Sequence, residues 1–193
     1  MTQEATSPRS RILAAATDLF YRQGINTTGI AEVADRAGVS KRTLYQLFPG
    51  KDLLVAAYLD GITATTERDT GDGNNEYKLF DTALSPRERL LGLFDRPGLV
   101  ARYRGCPFHD AAVELAEPDH PGLPLVIEHK HRILRQIIDT ARQAGAPDPD
   151  LLGRQLAVLF EGAMALSTSL NSTEAFDFAR SAAETLLDGA LPA

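Results

Sequence analysis

A glycine between two short apolar periodicities does most to limit how this chain can fold. The run from Thr28 to Leu54 reads TGIAEVADRAGVSKRTLYQLFPGKDLL, with Gly38 near its centre. Before it, Ile30, Val33, Ala34 and Ala37 recur at helical spacing, so one side of that stretch is apolar. A glycine just past such a stretch takes the left-handed conformation that closes a helix. Val39 is apolar, and Ser40 is a good N-cap for a second helix. That helix is expected to bury Leu44, Leu47 and Phe48 and to turn Lys41, Arg42, Thr43, Tyr45 and Gln46 outward. It is only about two turns long, too short to stand alone in water, so its neighbours must hold it. A short, braced helix rich in donors after a glycine turn is the shape of a helix-turn-helix that reads a DNA groove. Pro49-Gly50 breaks the pattern, and Lys51 opens a longer helix expected to reach about Asp69.

The overall charge of −6 opposes binding to a polyanion, but its distribution does not. Residues 1–58 carry seven Lys/Arg against five Asp/Glu, a net +2, while the rest carries thirteen against twenty-one, a net −8. Nucleic acid is therefore expected at the N-terminal end of an otherwise acidic molecule. One cysteine excludes an intrachain disulfide and fits a reducing compartment. The first ten residues have no apolar signal region, and no apolar run approaches a membrane span, so a cytoplasmic protein is expected.

The remaining periodicities are helical too. Ser7-Pro8 starts a helix with Ile12, Ala15, Ala16, Leu19 and Phe20 on its apolar side and Gly24 at its end. Gly71 to Asn75 reads as a loop. Ser85-Pro86-Arg87-Glu88 is a capping box with proline at the first helical position. Further helices are expected from Pro107 to about Glu117, Pro124 to Ala144, Asp150 to Leu170 and Thr173 to Leu187. No strand alternation and no repeat appears. The expected fold is all-α with about nine helices. An N-terminal three-helix helix-turn-helix DNA-binding domain (1–50, its connecting helix starting over 51–69) is followed by a C-terminal helical ligand-binding and dimerisation domain (51–193).

The run Gly38-Val39-Ser40-Lys41-Arg42-Thr43-Leu44-Tyr45, then Phe48, Lys51 and Leu54, resembles the TetR family of transcriptional regulators, over about residues 9 to 60. The family's usual second threonine before the first apolar residue is Gly29 here. A further stretch, Arg104-Gly105-Cys106-Pro107-Phe108 with Glu114 and His120-Pro121, is similar to one subgroup of that family. The resemblance implies a homodimer made largely by the last two helices, a small-molecule effector bound in the body, and release from an inverted-repeat DNA operator when it binds. Carried over by position, Lys41, Arg42, Thr43 and Gln46 would face base edges, and Thr28, Tyr45 and Lys51 would hold phosphates.

Within that frame, Leu156, Leu159, Phe160, Ala163, Phe176, Ala183 and Leu187 are expected at the subunit contact. Phe94, Phe108, His109, Val113, Ile127 and His131 are expected around an effector cavity, with ordinary core packing as the alternative for each. No metal or cofactor is expected. Cys106 and His109 look like half a metal site, but no second cysteine exists and His129 and His131 diverge on a helix. His120 is expected in a solvated loop. No phosphate loop, nucleophile elbow or dinucleotide fingerprint appears, which weighs against an enzyme. A helical adaptor that binds protein is disfavoured by the basic, tyrosine-bearing face at Lys41, Arg42 and Tyr45.

Overall fold

The computed structural model describes residues 7–66, 76–97 and 104–191. All regular structure among these residues is α-helical: α1 (Pro8–Gln23), α2 (Ile30–Ala37), α3 (Lys41–Leu47), α4 (Lys51–Thr66), α5 (Glu76–Phe80), α6 (Pro86–Gly92), α7 (Pro107–Glu114), α8 (Leu123–Gln143), α9 (Pro149–Leu170) and α10 (Ala175–Ala190). Ten helices thus stand where about nine were expected. The addition is α5, whose five residues are too few to show a helical period. The expected loop Gly71–Asn75 and the end of the Lys51 helix beyond residue 66 lie outside the described residues.

Contacts divide the chain into two compact units. The first comprises Met1–Thr63 and Cys106–Glu128, and the second Ala64–Gly105 and His129–Ala193. A linear cut after residue 50 cannot show this, because α7 and the start of α8 return to the N-terminal helices.

In the first unit, α1 is capped by Ser7, whose side chain accepts the Ser10 N–H, with Pro8 at the first position. Its apolar stripe Ile12, Ala15, Ala16, Leu19 and Phe20 is buried, as are Val33, Ala34, Leu44, Leu54 and Leu59. Phe20 meets Tyr58 edge to face at 5.4 Å. Burial, with Asp110 as the next cause, drives the Tyr58 phenol far above its ordinary value, so it stays a neutral hydroxyl. His120 is not in a solvated position. It is buried, its Nδ1 accepts the Gly122 N–H at 3.0 Å, and its Nε2 lies 3.5 Å from Asp52. Local bonding of the ring nitrogen to the turn removes most of the cost of taking the imidazole out of water.

The second unit is built on α9 and α10. Phe160 links Phe94 (6.1 Å) and Phe176 (6.5 Å), both edge to face. Gly153 sits where α9 crosses α8: a Cβ there would lie 2.6 Å from Ile138 Cγ1 and 3.0 Å from Ile138 Cα. Arg89 is buried with neutral partners. It donates to the Leu79 carbonyl at 2.9 Å, Gln143 Oε1 at 2.8 Å and Thr140 Oγ1 at 3.1 Å.

Six of the seven residues expected at a subunit contact are instead interior. Leu156, Phe160, Ala163, Phe176, Ala183 and Leu187 are each at most 3% exposed, and Leu159 alone is half-buried at the surface. Conversely Leu151, Leu166 and Phe178, expected inside, are exposed. The reason is physical: both helices are apolar on opposite sides, and periodicity cannot say which side faces in. Leu47 is likewise 37% exposed rather than buried.

Candidate nucleic-acid interface

The interface is built from the α2–α3 turn. Gly38 has φ 62°, and its N–H reaches back to Asp35 O at 3.1 Å while the Val39 N–H reaches Ala34 O at 3.0 Å. These bonds satisfy the last carbonyls of α2 and turn the chain sharply. Ser40 then caps α3, its Oγ accepting the Thr43 N–H at 3.0 Å. Leu44 is fully buried and Phe48, just beyond the helix, is 3% exposed. Arg9 of α1 lies over the Phe48 ring at 4.7 Å, a cation–π contact that braces the end of the short helix.

With one side pinned, the other is free for a ligand. Lys41, Arg42, Tyr45 and Gln46 are exposed, Tyr45 by 51%. Thr43 is half-buried, and its hydroxyl shares a hydrogen bond with Ser40 Oγ at 2.9 Å. Lys51 opens α4 and its Nζ donates to Asn26 O at 3.4 Å.

Thr28 departs from expectation. It is 1% exposed, and its hydroxyl donates to Gly24 O at 2.7 Å and lies 3.3 Å from Leu19 O. A hydroxyl committed to the last turn of α1 cannot also hold a phosphate. The neighbouring N-cap of α2 is Gly29, which makes no side-chain cap and has open space where a Cβ would be. The first N–H groups of α2 are left for an outside acceptor.

Asp18 was not singled out by sequence, yet it shapes the charge here. It pairs with Arg22 at 2.6 Å and Arg36 at 2.5 Å, so two of the seven N-terminal cations face a carboxylate of their own chain. The i,i+4 spacing of Asp18 and Arg22 was readable, whereas the Arg36 contact needs the α1–α2 packing.

The residues expected around an effector cavity do not behave as one set. Phe94 and Phe108 are buried, but His109 and His131 are exposed and Val113 and Ile127 are 73% and 56% exposed. Four of the six therefore lie on the surface, because the apolar sides of α7 and the start of α8 are broader than the area they bury. Surface apolar groups that sequence reasoning did not assign to a contact occur on α9 and α10. Leu151, Val158, Leu166, Leu170 and Phe178 are each more than half exposed. A groove of about 700 Å³ runs there, lined by Arg154, Gln155, Val158, Leu159, Ala182, Thr185 and Leu186. The readable signal was an apolar residue on the wrong side of an otherwise consistent stripe.

Residues 12–58 match the family model for bacterial regulatory proteins of the TetR family. The chain is 32% identical over 145 residues to the HTH-type transcriptional regulator ArpR of Pseudomonas putida, covering 67% of this chain and 69% of that one. It is also 32% identical over 93 residues to the HTH-type transcriptional repressor KstR2 of Mycolicibacterium smegmatis, covering 47% of this chain and 42% of that one. Among solved structures, a TetR-type regulator from Streptomyces avermitilis (sav143) superposes with a TM-score of 0.80 at 34% identity, over 95% of this chain and 98% of the other. No helix among the described residues is long and apolar enough to cross a membrane. The pinned short helix, the all-helical architecture and these likenesses agree that this is a DNA-binding transcriptional regulator and not an enzyme, and that the chain belongs to the TetR family.

Proposed function

We propose that the protein is a cytoplasmic homodimeric repressor that binds an inverted-repeat operator and leaves it when a small molecule binds the helical body. The observation that carries this reading is α3, capped by Ser40, anchored by Leu44 and Phe48, and exposing Lys41, Arg42, Tyr45 and Gln46 together. Lysine and arginine donate to guanine edges in the major groove, and glutamine pairs with adenine. Tyr45 and Lys51 hold backbone phosphates, with the open N-terminus of α2 as a further donor set in place of Thr28. Thr43 adds a methyl and a shared hydroxyl at the same surface.

The homodimer is supported by the apolar groove and ridge of α9 and α10, which a second copy would cover about a two-fold axis. Two readers set about one DNA turn apart then match a dyad operator. Repression is favoured over activation by the likeness to KstR2, whose name states that role. The effector is apolar or aromatic and binds in the body, where Phe94 and Phe108 remain the buried aromatic candidates.

Selection of duplexes from a random pool, followed by titration of the selected site at several salt concentrations, tests this. The expected result is a palindromic site bound by two subunits, with affinity falling steeply as salt rises. Binding without sequence preference, or a one-subunit stoichiometry on an asymmetric site, would remove the reading.

A further inference from the structure

We propose that Glu114, in the last turn of α7, is a positioning residue for operator binding. Its carboxylate fixes the turn between α1 and α2 and, through Asn26, the Lys51 ammonium. The inference rests on the DNA-binding reading above.

Asn26 is held twice by one residue. Its backbone N–H donates to Glu114 Oε2 at 2.7 Å, and its side-chain amide donates to the Glu114 backbone carbonyl at 2.9 Å. The turn is shaped to admit that carboxylate. Gly24 ends α1 with φ 97°, and a Cβ there would lie 3.0 Å from Glu114 Oε1. Any side chain at position 24 would press on the carboxylate and would also be strained in its backbone. The remaining main-chain group of Asn26, its carbonyl, accepts from Lys51 Nζ at 3.4 Å. Asn26 is therefore clamped between the end of α7 and the start of α4, four residues ahead of α2. Eighty-eight residues separate Glu114 from Asn26, so this is a tertiary contact and not a turn motif.

Charge and geometry predict opposite results here. A carboxylate this near a phosphate-holding lysine repels DNA, so a purely electrostatic role means that removing its charge, or leaving it in place but out of reach, affects affinity only through repulsion. A positioning role depends instead on reach: the oxygen must extend to the Asn26 N–H. Two conservative variants separate these. Glu114→Asp keeps the charge and withdraws the oxygens by one methylene. Glu114→Gln keeps an oxygen at full reach and discards the charge.

The test is titration of the selected operator with full-length wild type, Glu114→Asp and Glu114→Gln at one salt concentration. Circular dichroism and light scattering run in parallel. The expected result is about tenfold weaker binding for Glu114→Asp, the scale of a lost hydrogen bond to a charged group. Glu114→Gln is expected to bind within about twofold of wild type or more tightly, on the scale of a neutral acceptor replacing a charged one. In a Lys51→Ala background the Glu114→Asp loss should shrink markedly, since the two act through the same carbonyl. Equal binding by wild type and Glu114→Asp overturns the inference alone. So does a Glu114→Gln loss as large as that of Glu114→Asp, or loss of helix content in Glu114→Asp, which would make the contact merely stabilising. A wild type that binds no duplex removes the underlying reading and this inference with it.

Discussion

At the scale of single residues, the structure separates side chains that read DNA from side chains that hold the reader. Arg42 is exposed and Thr28 is not, although both lie in the stretch that resembles the family motif. Arg42→Ala is expected to relax base preference at one or two operator positions by about 1–3 kcal/mol. Tyr45→Phe and Lys51→Ala should weaken all sites alike, and Lys51→Ala should lower the salt slope by about one. Operators substituted base by base would check this, and a uniform loss for Arg42→Ala would contradict the readout role. Thr28→Val has a different signature. It deletes a buried hydroxyl that donates to Gly24 O, so thermal stability should fall by about 1 kcal/mol while the salt slope stays put. An unchanged melting temperature with a reduced slope would return Thr28 to the phosphate.

The helical element is where most of the fold could be read directly. Ser7-Pro8, Ser40 and Ser85-Pro86-Arg87-Glu88 all act as N-terminal signals, because capping is chemistry between residues at most three apart. Gly38 takes the left-handed conformation for the same local reason. Ser40→Ala should therefore lower unfolding stability by about 1 kcal/mol, seen as a shifted urea midpoint with unchanged slope. The capping box at α6 adds a pH signature. The Ser85 hydroxyl, then its backbone N–H, donates to Glu88 and holds that carboxyl below its ordinary value of 4.5. A lowered native value means the contribution is present above the unfolded value and is lost as pH falls through the native one. Ser85→Ala should then flatten the acid side of a stability profile, and an unchanged profile would show that the box carries no linkage. What sequence could not supply at this scale was the inward side of a helix that is apolar all round. On α9 the inward residues are Leu152, Leu156, Phe160, Ala163 and Met164, while Leu151, Val158, Leu166 and Leu170 face out. Only packing against other helices decides between those two sets. The candidate interface was more legible than the subunit contact, since α3 has a single apolar anchor, Leu44, and polar groups elsewhere.

For the whole molecule, the outward apolar residues of α9 and α10 set the expected assembly. Val158→Asp together with Phe178→Asp should give a folded monomer by light scattering and weaken operator binding by more than tenfold, because one reader cannot span two half-sites. Retained dimers in that variant would show that a different surface joins the subunits. Leu156→Asp is the internal control: it places a charge in the chain's own core and should abolish folding instead. Long-range partners were the least visible feature in sequence. Glu114 and Asn26, or Arg89 and Thr140, meet only after the chain has folded back over many residues.

Gly153 leaves no slack where it meets Ile138, so the spacing of α8 and α9 is set by bare backbone. One added methyl would act as a wedge. It would force the helices to slide or splay, at about 1–3 kcal/mol, and would tilt the ridge that carries Val158. Mutational drift at that crossing is therefore closed to the chain, and the pitch of its outer ridge is inherited from the smallest side chain it has.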